Sequence, residues 1–223
     1  RRLQACFFAA AGLPQHIWDA LDRQSQATCG RRVPILSGLG ATETAPAVTF
    51  TTPHNERAGV IGLPAPGSIV KLAAVGEKLE LRARGPHVTP GYWRDPRRSA
   101  DAFDAEGFYR MGDAVRLIDP QDPRRGLVFD GRIAEDFKLS SGSWVSVGPL
   151  RLGLLRELAP LAVDVVIAGM NRDYVAVLVL LDEQAAAALL GAPPSALTTA
   201  QLSREPRLLR AHAERLERHA RSQ

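Results

Sequence analysis

At 223 residues, 45% of them hydrophobic, the chain can bury one sizeable core and part of another, which excludes wholesale disorder. No apolar run approaches the ~20 residues needed to cross a bilayer, so no membrane partner is expected. The net charge of +4 rests on 28 basic residues, 25 of them arginine, spread along the chain without interleaved aromatics, which argues against nucleic-acid binding.

In chain order, residues 3–11 read as a buried strand, with Pro14 at the first turn of a helix over 15–26. The opening residues 1–12 imitate a signal peptide, but the apolar core is short. Without an initiator Met, a piece cut from a longer protein is the better expectation. Cys6 and Cys29 cannot build a disulfide framework, which fits a reducing, cytoplasmic setting. A second apolar run over 32–38 ends in the glycine- and threonine-rich turn 38–44. Strand, helix, strand suggests the terminal part of a parallel α/β layer, residues 1–58.

From residue 59 to 130 the texture is of short strands (60–63, 69–73, 78–84, 126–129) separated by Gly and Pro turns. This predicts a small antiparallel, barrel-like β unit. Residues 131–223 alternate again: a hairpin about Ser141–Gly142, a helix near 150–158, strands over 163–168 and 174–181, and helices over 184–190 and 203–221. The expected fold class is therefore α/β followed by a separate, truncated α+β domain.

Three clusters carry candidate chemistry. In Gly38-Leu39-Gly40-Ala41-Thr42-Glu43-Thr44 no lysine follows the glycines, so this is not a Walker loop. Its glycines permit close approach of a ligand, Thr42 offers a hydroxyl to phosphate, and Glu43 offers hard oxygen to magnesium. A plain strand-to-loop turn explains the same residues. In Phe108-Tyr109-Arg110-Met111-Gly112-Asp113 the carboxylate could accept both ribose hydroxyls, or could simply cap a turn. In the run 129–138, Arg132 could pair with ribose or phosphate while the glycines permit domain movement; a linker with salt bridges is the plainer explanation. His212 and His219, seven apart on a charged helix, are expected to face solvent, His87 to lie on a turn where it could approach substrate or simply sit on the surface, and Trp18, Trp93 and Trp144 to anchor packing.

Taken in order, GLGATETAP (38–46), GPHVTPGYWRDP (85–96), FYRMGD (108–113) and GRIAEDFKLSSGSWVSVGPLR (131–151) resemble the adenylate-forming acyl-CoA synthetases, over about residues 1–182. ATETAP, RGLVFDGRIAEDFKLSSG and VSVGPLR look most like feruloyl-CoA synthase. The resemblance implies ATP, Mg²⁺, coenzyme A and a small carboxylic acid as reactants, and an acyl-adenylate that the CoA thiol then opens. It places Thr42 at the α-phosphate, Glu43 on Mg²⁺, Asp113 and Arg132 at the ribose, and Ala10, Ala11, Leu39 and Gly40 around the nucleotide. Lys138, Ser141 and Gly142 fall in the loop that serves thioesterification, with Ala134 or Glu135 at the hinge.

The sequence departs from that pattern in several places. Ala134 stands where many relatives carry Asp or Lys, and Met111 replaces a common Thr. Neither the upstream phosphate loop nor the late adenylating lysine is found, so the chain is expected to be the C-terminal part of an enzyme and inactive alone. Rival readings are a ligase for fatty or other acids, a carrier-loading adenylation domain, and a non-catalytic nucleotide-binding paralogue. Oligomeric state is not legible.

Overall fold

A computed structural model describes residues 2–9, 12–193 and 196–221. The chain divides into two compact units, Arg1–Glu135 and Asp136–Gln223.

In the first unit, β1 (Cys6–Phe8) and β2 (Ile35–Leu39) pair in parallel, connected through α1 (Gln15–Cys29), as strand–helix–strand patterning predicts. The helix runs one turn past the expected end and stops where Gly30 adopts a left-handed φ of 70°. Trp18, on its inner face, is almost wholly buried. The expected strand over 3–11 is corrected in two ways. It is only three residues long, and Cys6 and Phe7 are exposed, because β1 is an edge strand of the described sheet.

Next come β3 (Thr49–Phe50), β4 (Val60–Pro64), β5 (Ile69–Val75), β6 (Lys78–Arg84), β7 (Tyr109–Leu117) and β8 (Leu127–Arg132), with the short α2 (Pro96–Asp101) between β6 and β7. Among the described residues these strands and β1–β2 make one sheet in the order β1-β2-β3-β4-β8-β7-β6-β5. It has open edges at β1 and β5, so the barrel-like expectation is corrected: the antiparallel strands extend the α/β layer and do not close on themselves. Strand β7 was missed in the sequence, and it is the central element of the antiparallel part. Val48, Ile61, Leu81, Ala83, Tyr109, Met111, Val115 and Leu127 form the core beneath it. Gly76, at φ 59°, makes the two-residue turn of the β5–β6 hairpin.

The second unit opens with a hairpin of β9 (Phe137–Lys138) and β10 (Trp144–Val145), turned through Gly142 at φ 85°. Helix α3 (Val147–Leu158) follows, its first amide donating to buried Asp136 Oδ1 at 2.9 Å. Strands β11 (Ala162–Ala168) and β12 (Ala176–Leu181) pair antiparallel, and Val165 packs inward against Leu154 and Leu158. Helices α4 (Glu183–Leu190), α5 (Thr199–Leu202) and α6 (Pro206–Arg221) complete it. His212 and His219, expected to face solvent, are buried on α6, because that helix lays a face against α3. Gly153 of α3 leaves the space that the His219 ring fills.

Candidate active site

The loop after β2 is built by buried threonines. Thr49 Oγ1 accepts from Leu39 N at 3.2 Å and Thr51 Oγ1 from Ser37 N at 2.7 Å. Thr44 Oγ1 accepts from Ala41 N at 2.9 Å and donates to Ala41 O. These bonds wind Thr42–Thr44 into a single 3-10 turn, closed by Ala45 at φ 46°. Gly40 is required by the chain itself, since a Cβ there would collide with the Pro46 carbonyl. The turn leaves Thr42 exposed, Glu43 half-buried, and Leu39 packed against the core.

Glu43 is held in place from a distant part of the chain. Its backbone carbonyl accepts from Thr89 N at 2.8 Å, and its Oε1 accepts from the Tyr92 hydroxyl at 2.8 Å. Tyr109, buried on β7, lies near enough for its phenol to be influenced by Glu43 and Tyr92. Its own backbone N–H, then the Tyr92 hydroxyl, hold the Glu43 carboxyl below its ordinary range, so it is ionised at neutral pH. Burial pushes the Tyr109 phenol upward, so it stays a donor.

The second cluster lies further along β7. Two irregularities in register, one against β6 and one against β8, surround Asp113, and Gly112 adopts φ 70°. Bulges of this kind re-aim side chains. Gly112 N donates to Glu80 Oε1 at 3.2 Å, fixing the kink. Asp113 is buried and its register partner is Arg132, whose Nε lies 3.2 Å from Oδ1. Burial raises the Asp113 carboxyl to about 6; Arg132 opposes this, while Glu135 and Glu80 add to it. A half-exposed guanidinium on a buried carboxylate gives a pair that can accept and donate to neighbouring hydroxyls.

Tyr109 and Asp113 both lie on β7, on either side of the kink at Gly112. Thus β7 links the Glu43 group to the Asp113–Arg132 pair. A surface cavity of about 380 Å³, lined by Thr51, His54, Arg57 and Arg125 among others, includes none of the candidate residues. Ala10 and Ala11 lie outside the described residues. Ala134 and Glu135 sit exposed in a turn after β8. Within the second unit, Lys138 is exposed on β9 with its Nζ 5.5 Å from the Trp144 ring, and Ser141 Oγ donates to Ser143 Oγ at 2.9 Å beside Gly142.

Sequence reasoning passed over Tyr92 and Tyr109, and expected Trp93 to anchor packing. Trp93 is in fact 87% exposed, and Trp144 is 40% exposed. Among the described residues no three His, Cys, Asp or Glu side chains converge to hold a metal by themselves. Magnesium is commonly held by one or two carboxylates plus substrate phosphates, so the single ionised Glu43 fits that donor chemistry.

Comparison with known proteins adds family information to this geometry. Residues 1–93 match the family described as AMP-binding enzyme. Human long-chain-fatty-acid–CoA ligase 6 is 33% identical over 120 residues, 50% of this chain and 17% of that protein. The A domain of a carboxylic acid reductase from Segniliparus rugosus, solved with AMP and a carboxylic acid, superimposes with a TM-score of 0.70 at 21% identity, covering 98% of this chain and 31% of that one. The anthranilate CoA ligase AuaEII, solved with anthranoyl-AMP, gives 0.67 at 20% identity, covering 97% and 38%. The fold is the mixed α/β architecture of adenylation domains. The chain spans about a sixth of the curated relative's length and about a third of the solved ones.

Proposed function

We propose that this chain is part of an ATP-dependent acid–CoA ligase, which joins a carboxylate to AMP and then passes the acyl group to the thiol of coenzyme A. The observation that carries this is a pair of fixed carboxylates: Glu43, held by the Tyr92 hydroxyl, and Asp113, buried against Arg132. A carboxylate is a poor acyl donor, and attack on the α-phosphate of ATP gives it a stabilised leaving group. The step needs positioning and charge neutralisation around the phosphates more than covalent help.

In this reading Thr42 donates its hydroxyl to the α-phosphate. Asp113 accepts the ribose hydroxyls, with Arg132 donating beside it. Leu39, Gly40 and the stretch holding Ala10 and Ala11 flank the nucleotide. Bound magnesium would supply positive charge against the phosphates, with Glu43 as its protein ligand. For the second step, Lys138, Ser141 and Gly142 border the pantetheine path, and the turn at Ala134–Glu135 is the pivot. The boundaries 1–58, 59–130 and 131–223 are kept as the working division of roles.

The acid is proposed to be ferulate or a related hydroxycinnamate, on the strength of the ATETAP and VSVGPLR phrases. A long-chain fatty acid is the second reading, favoured by the likeness to human long-chain-fatty-acid–CoA ligase 6. Acid-dependent ATP–pyrophosphate exchange by the longer protein, across an aromatic and aliphatic panel with magnesium, tests both. Exchange with hydroxycinnamates is expected, a preference for long aliphatic acids would select the second reading, and no exchange with any acid would remove the ligase. The isolated 223 residues are expected to give no turnover.

A further inference from the structure

Tyr92 is fixed on three sides before it reaches Glu43. Its backbone N–H donates to Ser99 Oγ at 2.8 Å, and that hydroxyl donates to Asp95 O at 2.7 Å. Asp95 in turn caps α2 by accepting from Arg98 N at 2.9 Å. The Arg98 guanidinium lies 4.1 Å from the Tyr92 ring centre, a cation–π stack. The segment carrying Tyr92 also grips Glu43 through its backbone, at Thr89 N. Tyr109, packed edge-on against Phe103 at 5.7 Å, lies near the same two residues. Glu43 is thus held twice by one segment, at its carboxylate by the Tyr92 hydroxyl and at its backbone carbonyl by Thr89 N.

We infer that Tyr92 is a positioning residue for Glu43: its hydroxyl, 2.8 Å from Oε1, holds the carboxylate in the orientation from which it meets a divalent cation and a phosphate. The inference rests on the proposed role of Glu43. A glutamate on a one-turn loop otherwise samples many rotamers, and a charge-assisted hydrogen bond selects one of them. A donor aimed at an anion also favours the ionised form, the form a hard cation needs. A tyrosine that merely filled space would use its ring alone, and its hydroxyl would not matter.

Tyr92→Phe separates the two roles, since it keeps the ring under Arg98 and removes only the donor. The first measurement needs no activity: the side-chain rotamers of Glu43 are read from three-bond NMR couplings in the 223-residue chain. One rotamer is expected to dominate in the wild type and several to average in the variant, with the thermal midpoint little changed. A single Glu43 rotamer retained in folded Tyr92→Phe overturns the inference, ligase or not. Should that variant fail to fold, 3-fluorotyrosine at position 92 reports the same bond: its fluorine resonance is expected to shift on Glu43→Gln, and no shift overturns the inference.

The second measurement is the magnesium dependence of pyrophosphate exchange in the longer protein. Tyr92→Phe is expected to raise half-saturating magnesium about tenfold, the worth of one hydrogen bond to a charged group, with the KM for acid little affected. An unchanged magnesium requirement overturns the inference. A wild type without exchange overturns only the ligase reading, and the rotamer measurement then decides the role of Tyr92.

Discussion

Asp113 carries a conflict between folding and its proposed use. Its carboxyl is raised to about 6 chiefly by burial, against 3.8 in the unfolded chain. Between those values the folded state binds the proton that the unfolded state has lost, so stability falls as pH rises from about 4 to about 6 and stays low above it. Ionised Asp113 therefore costs folding on the order of 3 kcal/mol at neutral pH. Asp113→Asn is expected to stabilise the first unit by about 1–3 kcal/mol in urea melts at pH 7, while AMP binding weakens by calorimetry. Destabilisation in that variant would mean that the Arg132 ion pair outweighs the burial. In the wild type, ribose hydroxyls need an accepting carboxylate, so AMP affinity is expected to fall as pH drops through about 6. Affinity that is flat from about pH 5 to about pH 8 would count against a ribose at Asp113.

At the scale of elements, the loop after β2 shows how far chain packing accounts for a residue that looks like ligand chemistry. Gly40 was read as a position that lets a nucleotide come close, yet the nearest obstacle to a side chain there is the Pro46 carbonyl. Backbone cannot rotate away as a side chain can. Gly40→Ala is accordingly expected to cost about 2–3 kcal/mol of stability in the first unit, measured by thermal melt without any ligand. An unaltered melt with lost nucleotide binding would return Gly40 to a purely ligand-facing role.

Much of the fold was legible because local patterning decides it. Helix α1, the β5–β6 hairpin with its Gly76 turn, and the β11–β12 pair follow periodicity and turn chemistry. What escaped depends on distant partners. Strand β7 was hidden because Gly112 and Asp113 interrupt its alternation at the bulge. The inward turn of Tyr92, with Trp93 left in solvent, depends on a hydrogen bond to Glu43, 49 residues earlier, which no local pattern encodes. The same holds for His212 and His219, whose burial is set by the packing of α6 on α3 and not by the charged composition of α6. Within the candidate site, Thr42, Glu43, Asp113 and Arg132 could be picked out by residue type. The tyrosine that holds Glu43 could be found only from the fold.

At the scale of the whole molecule, the two units carry buried titrating groups of opposite sign. The first contains Asp113, which loses stability as it ionises. The second contains His212, whose imidazole is held below 6.5 by burial and, further, by nearby Arg215, with a bond to the Leu208 backbone working the other way. Its Nε2 has no hydrogen-bond partner among the described residues. The unfolded chain protonates this histidine near pH 6.5 while the folded unit resists, so stability rises with pH up to about 6.5 and falls as acid is added. Each unit has its own hydrophobic core, with Val48, Leu81 and Val115 in the first and Leu161, Leu202 and Leu208 in the second, so the two effects need not cancel locally. Amide exchange followed by mass spectrometry, corrected for intrinsic rates, resolves them. From about pH 7 to about pH 5, protection along Pro206–Arg221 is expected to fall and protection along Tyr109–Leu117 to rise. His212→Leu should abolish the first change and leave the second. If both segments lose protection together on acidification, either the burial of Asp113 does not set its ionisation or the units do not respond separately, and Asp113→Asn tells these apart by removing the β7 change only in the first case.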